Sequence, residues 1–407
     1  MNQPLPSSTP LSQDAQGAPS APALQNWPLL RLGFRPFYLG TALLACLSVP
    51  VWVGVFLGHM ALPLGYPALL WHGHEMLFGF AAGVVMGFLL TAVRAWTGMD
   101  TARGALLGAL ALLWLAARVA AVAAPYGVFA VLDLLLLPAV AIVLLRVLLR
   151  AGNKRNVPLV GLLLLMALAN AAFHLSVMGA IELPAMSALY AQLALVLMVV
   201  SVMTGRVLPM FTRNGIPGLV LEPPSRRFEL WLLGVTGAAF ALWVLAAPAS
   251  LVGAASLVAA VMHARRLWCW KPWATLRRPI LWVLHLSYVW MPLGFLLLAL
   301  AQWGWVAPSL AVHAFAVGVI GGLVIGMITR TARGHTGRPL KASGGEAIAY
   351  GAVLVAALVR VLVPALHPEW TVMALGVAAA LWGLAFLIYL AIYTPWLTRT
   401  RLDGKDG

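Results

Sequence analysis

The segment WHGHEM, Trp71–Met76, places two imidazoles, a carboxylate and a thioether within about one helical turn. It opens an apolar run that continues to Val93. Polar side chains are costly inside a membrane and are usually kept for function. Imidazole suits copper, zinc or iron, and a thioether supports reduced copper, so the first chemistry these residues suggest is a metal or haem centre. Residues two apart on an α-helix point about 200° from each other. His72 and His74 therefore serve different centres. His72 shares its stripe with Glu75 and Met76, and His74 shares its own with Phe78.

The elements that position these residues follow from composition. Of 407 residues, 62% are hydrophobic and 9% charged, which is too apolar for a water-soluble surface. The expected fold is an all-α polytopic membrane protein. Cys46 and Cys269 lie far apart in apolar contexts and match no thiolate motif, so any metal must be held mainly by histidine. The net charge of +15 is spread over many short loops rather than one patch, which argues against nucleic acid and for a bilayer as partner. Residues 1–30, rich in Pro, Ser, Gln and Ala, lack a basic start followed by an apolar core. They read as a disordered cytoplasmic tail, not a signal peptide. Apolar runs follow at 37–59, 72–93, 104–124, 127–149, 158–180, 186–208, 229–247, 250–269, 279–301, 308–330, 346–366 and 371–393. That gives one twelve-helix domain over 31–398 and a short tail at 399–407.

With this division, nearly every Lys and Arg falls in the tails and the even-to-odd loops, from Arg31 and Arg35 to Arg399, Arg401 and Lys405. The odd-to-even loops hold none. The positive-inside rule then makes both termini cytoplasmic and puts His72 near the outer face. Arg118 and Arg360 are the exceptions, each about fourteen residues into its helix and so in the outer half of the membrane. Arg118 has Asp133 on the next helix as an ion-pair partner, and that structural reading competes with a functional one. Arg360 has no acid at its depth in its hairpin. A lone intramembrane guanidinium suits a carboxylate or propionate.

An internal repeat joins the two sets. At a constant offset of 239, His74 aligns with His313, Gly79 with Gly318, Gly83 with Gly322, Gly87 with Gly326, Arg94 with Arg333, Thr97 with Thr336 and Gly98 with Gly337. Arg118 and Arg360 follow at 242. Helices 2–3 and 10–11 therefore look like copies. Glycines four apart also have a plain packing explanation. Helix 6 offers a third, weaker copy, with Thr212 where Thr97 and Thr336 stand and Leu189 in place of the histidine, so a threefold repeat of four helices is one reading. His72, His74, His174 and His313 share the outer third. With Glu75 and two arginines nearby, they could hold a haem with anchored propionates. His263, His285 and His335 lie toward the cytoplasmic side, while His59 and His367 are solvated loop residues.

The blocks LGFRPFYLG, WHGHEMLFGFAAGVVMGFLLTAVRAWTG, GRVLPMFTRNG and HAFAVGVIGGLVIGMITRTARGHTGRP resemble the NnrS family across nearly the whole chain. The resemblance implies a twelve-helix bacterial inner-membrane protein that contains haem b and copper and belongs to the nitric oxide response. His72, His74, His313 and His335 fall within the family's blocks; His174 and His285 enter as metal candidates on depth alone. Two functions follow. One is binding and reduction or other consumption of nitric oxide at a haem beside a second metal, with electrons from a quinol or redox protein. The other is a transporter or metal-handling protein that protects iron pools, for which repeats and intramembrane arginines are equally a signature. In the first, the expected roles are His74 and His313 as axial haem ligands, Arg118 and Arg360 as propionate partners, and His335 as a further cofactor contact. His72 with His174 would hold copper, and Glu75 would deliver protons.

Overall fold

The structure, a computed structural model, describes residues 27–405. It contains helices and no strand among the described residues. The twelve long helices are α1 (Phe34–Phe56), α2 (Ala68–Thr97), α3 (Gly104–Ala123), α4 (Tyr126–Arg150), α5 (Val157–Val177), α6 (Ala185–Gly215), α7 (Arg226–Val244), α8 (Ala249–Cys269), α9 (Pro279–Gln302), α10 (Pro308–His335), α11 (Gly344–Leu366) and α12 (Thr371–Leu397). Each coincides with one apolar run of the sequence. Boundaries follow local chemistry. Proline opens α9 and α10, where its missing N–H costs nothing. Ser343 and Glu346 form a reciprocal capping box on α11. Gly98 ends α2 in the left-handed region at φ 70°.

Eleven of these helices are long and apolar enough to cross a membrane. The remaining one, α8, has ample length but is diluted by Ser, Gly, His263, Arg265 and Arg266. The chain is a multi-pass membrane protein. Leu112, Leu168, Val261 and Val372 point outward from the bundle, as they would toward lipid rather than water. Exposed tryptophans stand at both ends, Trp305 and Trp370 at one and Trp231, Trp268 and Trp273 at the other, in the manner of interfacial aromatic belts.

Burial separates central from peripheral helices. The apolar core of α2 is 78% buried and that of α10 72%, against 22% for α7. α2 and α10 are the inner helices. Both are interrupted by a π-helical stretch immediately after the histidine turn, Glu75–Ala81 in one and Ala314–Gly321 in the other. A π turn inserts an extra residue, is rare, and occurs frequently at functional sites. Its recurrence at matching positions supports the internal repeat. The repeated glycines have the packing role. A Cβ on Gly83 would meet Thr41 of α1 at 2.5 Å, and one on Gly322 would meet Ser287 of α9 at 2.1 Å. In each copy the stripe therefore lets the preceding helix approach closely. α6 completes the centre, and α2, α6 and α10 together line two cavities, one toward each membrane face.

The expected tail at 1–30 lies mostly outside the described residues. Its last part is ordered: Pro28–Leu30 form a 3-10 turn with Leu30 buried. The C-terminal segment folds onto the same face, where Arg35 donates from Nη1 to the carbonyls of Leu397 and Arg399 at 2.8 and 2.9 Å.

Candidate functional site

The two histidines of α2 face different places, and each has found a partner histidine on another helix. His72 points into an apolar cavity with about 1100 Å³ of empty space, mouth included. His313 of α10, Arg360 of α11 and Met76 line the same cavity, and its remaining walls include Trp52 and Trp382. The His72 ring stacks on Trp52, centroids 4.1 Å apart, and its Nδ1 is buried without a hydrogen-bond partner. Arg360 Nη2 lies 3.2 Å from His313 Nε2. Because arginine only donates, Nε2 must accept, and the ring proton sits on Nδ1, which donates to the Ser309 carbonyl at 2.7 Å. A backbone carbonyl holding one imidazole nitrogen so that the other is free for a ligand is the usual arrangement of metal-binding histidines. No carboxylate pairs with Arg360 among the described residues.

His74 lies in a second, fully buried polar cluster built by α2, α3, α4 and α5. Its Nδ1 is 3.2 Å from Glu75 Oε1, and its Nε2 is 3.2 Å from both Asn170 Oδ1 and Asp133 Oδ2. His174 Nε2 is 3.2 Å from the same Asp133 oxygen, and Tyr126 bonds its Nδ1 at 3.0 Å. Arg118 donates to Glu75 at 2.7 Å and to Asp133, while Asn170 donates to Asp133 at 2.6 Å. One ligand atom each from His74, Asp133 and His174 lie within 4.8 Å of one another. Two imidazoles and a carboxylate form a donor set for copper, zinc or iron. Both nitrogens of His74 face acceptor oxygens, so its ring donates at both, and that imidazolium together with Arg118 balances Glu75 and Asp133; a metal held here would take the place of imidazole protons. Phe78, Phe129 and Phe173 wall the site against water. Just outside the membrane segment, burial and then the Glu75 carboxylate push the Tyr66 phenol up, keeping it neutral.

The geometry groups these residues differently from the sequence reading. His74 and His313 were expected to meet across one cofactor, and His72 to pair with His174. The structure pairs His72 with His313 and His74 with His174. The reason is tertiary: the cavity lies between α2, α6 and α10, whereas the other face of α2 meets α4 and α5. Glu75 does not share the side of His72 but turns to its neighbour His74, where the π stretch begins. It touches the metal-type cluster, not the cavity. Arg118 is not a free anion receptor, because Asp133 and Glu75 both hold it; the ion-pair reading was the better one. Arg360 does face the cavity. His285 and His335 join neither site. His285 is held by Thr212 Oγ1 at 3.2 Å and the Leu281 carbonyl at 3.1 Å, and His335 packs on Phe34 at the opposite end of α10 from His313.

Sequence reasoning missed Asn170 and gave Asp133 only the role of partner to Arg118. A signal existed. Asn170 and His174 stand four apart in the apolar run of α5, so two polar side chains share one face of a membrane helix. Leu189, in the histidine's place in the weaker third copy, lines the cavity with His313, whereas His74, the matching residue of α2, faces the other cluster.

Among curated proteins compared with the chain, none matches. The family model described as NnrS protein matches residues 28–401, which includes all twelve helices and both histidine sites, so the chain belongs to the NnrS family.

Proposed function

We propose that this is a haem–copper protein of the bacterial inner membrane, with both termini cytoplasmic, that binds nitric oxide and consumes it in the nitrosative-stress response. The observation that carries the reading is the pair His72 and His313, set on repeat-related central helices around one apolar cavity with Arg360 beside them. The residues fit haem b. His72 has a buried nitrogen without a partner, His313 has its tautomer fixed by Ser309, and Arg360 can transfer its hydrogen bond from His313 to a propionate. The second cluster fits copper through His74, His174 and Asp133. When bound, haem supplies an iron that takes nitric oxide as a ligand, and copper supplies a second redox-active metal.

The chain's own residues supply the rest. The aliphatic and aromatic cavity wall admits a small apolar gas and keeps bulk water out. Glu75 and Asp133, joined through His74 and Arg118, form a buried network that can hold a proton near the outer face, with Tyr126 on His174 at its edge. Electrons for a reductive reaction would come from a quinol or a redox protein. The second reading, a transporter or metal-handling protein, is favoured by one observation: the two cavities lie one above the other on the same three helices with packed residues between them. An absorption spectrum and metal analysis of the purified protein, before and after adding nitric oxide, separates the two. A haem band that shifts with nitric oxide supports the first reading, and a protein without haem supports the second.

A further inference from the structure

The second cavity opens toward the basic face and has about 2360 Å³ of empty space, mouth included. Its deep wall is apolar and comes from Phe88 and Trp96 of α2, Met203 and Phe211 of α6, and Met327 of α10. Its mouth carries Arg277, Arg278, Arg330, Lys341 and Arg401, and no acidic residue lines it among the described residues. Arg401 is paired with Asp403, at 2.5 Å. The others have no carboxylate partner among the described residues. Arg330 is the telling one. It is only 7% exposed, lines the cavity, and rests on the Phe211 ring, its guanidinium carbon 3.9 Å from the centroid. A buried guanidinium facing open space without a counter-ion calls for an anion.

Three features narrow that anion. Several cations around one mouth favour a phosphate over a neutral group such as a quinone ring. The apolar wall beneath the cations asks for a hydrocarbon part attached to the charged one. The site lies at the end of α2 and α10 where the basic loops cluster, at headgroup depth, and basic pockets between membrane helices on that side are where acidic headgroups bind. We propose that this cavity holds an anionic phospholipid, its phosphate among Arg330, Arg277, Arg278 and Lys341 and its acyl chain against Phe88, Met203 and Met327. The site is separate from the cofactor cavity. On α2 the two are bounded by Phe80 and Phe88, eight residues and about 12 Å apart along the helix, with packed side chains between. The proposal stands whether or not haem binds.

The test uses the full chain in a neutral detergent. The protein is stripped of lipid, reconstituted in phosphatidylcholine bilayers containing a minority of phosphatidylglycerol, re-extracted, and examined by native mass spectrometry for retained lipid. Wild type should retain phosphatidylglycerol in preference to phosphatidylcholine, and excess inorganic phosphate should not displace it. Arg330→Gln should lower retention about fivefold, as expected for one basic contact to an acidic lipid. If Arg330→Gln does not elute as a folded monodisperse species, the exposed pair Arg277→Gln/Arg278→Gln decides instead, with a loss at least as large. Equal retention of the two lipids, or unchanged retention in the variants, overturns the proposal. Displacement by inorganic phosphate overturns it too, and assigns the site to a soluble phosphate.

Discussion

Arg118→Leu and Arg360→Leu distinguish two uses of an intramembrane guanidinium. Arg118 is 7% exposed and donates to Glu75 at 2.7 Å and to Asp133. Leucine would leave both carboxylates buried without their cation. Removing one partner of a buried ion pair costs about 3–5 kcal/mol, roughly a 10²- to 10⁴-fold shift in the folding equilibrium. Arg360 makes one hydrogen bond, to a neutral imidazole, in a cavity with no acid to abandon. Its loss should cost about 1 kcal/mol. The assay is reversible unfolding of purified protein in mixed micelles with rising sodium dodecyl sulfate, with haem absorbance per chain measured on the same preparations. Arg118→Leu should lose at least about 3 kcal/mol of stability. Arg360→Leu should stay within about 1.5 kcal/mol of wild type yet lose haem. If Arg118→Leu costs less than about 1 kcal/mol, the cluster is not the electrostatic unit described here. If Arg360→Leu keeps full haem, Arg360 is not the propionate partner.

Gly318→Ala should destabilise by about 1–3 kcal/mol through overpacking, because the new Cβ would meet Trp290 Cγ at 2.3 Å, whereas Gly127→Ala, with open space around it, should be neutral or better in the same assay. A reporter fused after Gly407 should show a cytoplasmic location and one inserted near Glu182 a periplasmic one; the same side for both would contradict the helix count that places them on opposite faces.

Most of the fold was legible in the sequence because membrane helices announce themselves. Twelve apolar runs sufficed, with the alternation of basic loops as their check, and α8, diluted by His263, Arg265 and Arg266, was read as one of those runs. The divergence of His72 and His74 was legible too, since it follows from helix geometry alone. Their partners were not. Which helix lies against each face of α2 is decided by tertiary packing, and the π stretch at Glu75–Ala81 slips the register that the stripe argument assumed to be regular. The repeat was read correctly from His74 and His313, but it does not make their roles equal. In one copy the arginine of the following helix reaches Glu75 and Asp133, and in the other it reaches His313 itself, because no acid in α12 answers Asp133 of α4. Asn170 escaped notice because a single amide in an apolar run belongs to no motif.

The proposed function puts haem at His72 and His313, not His74, and copper at His74 and His174. Absorption spectra and copper content of purified His72→Ala, His313→Ala and His74→Ala test it most directly. The first two should lose or alter the haem band and keep copper, while His74→Ala should keep the band and lose copper. Loss of the haem band confined to His74→Ala would contradict it.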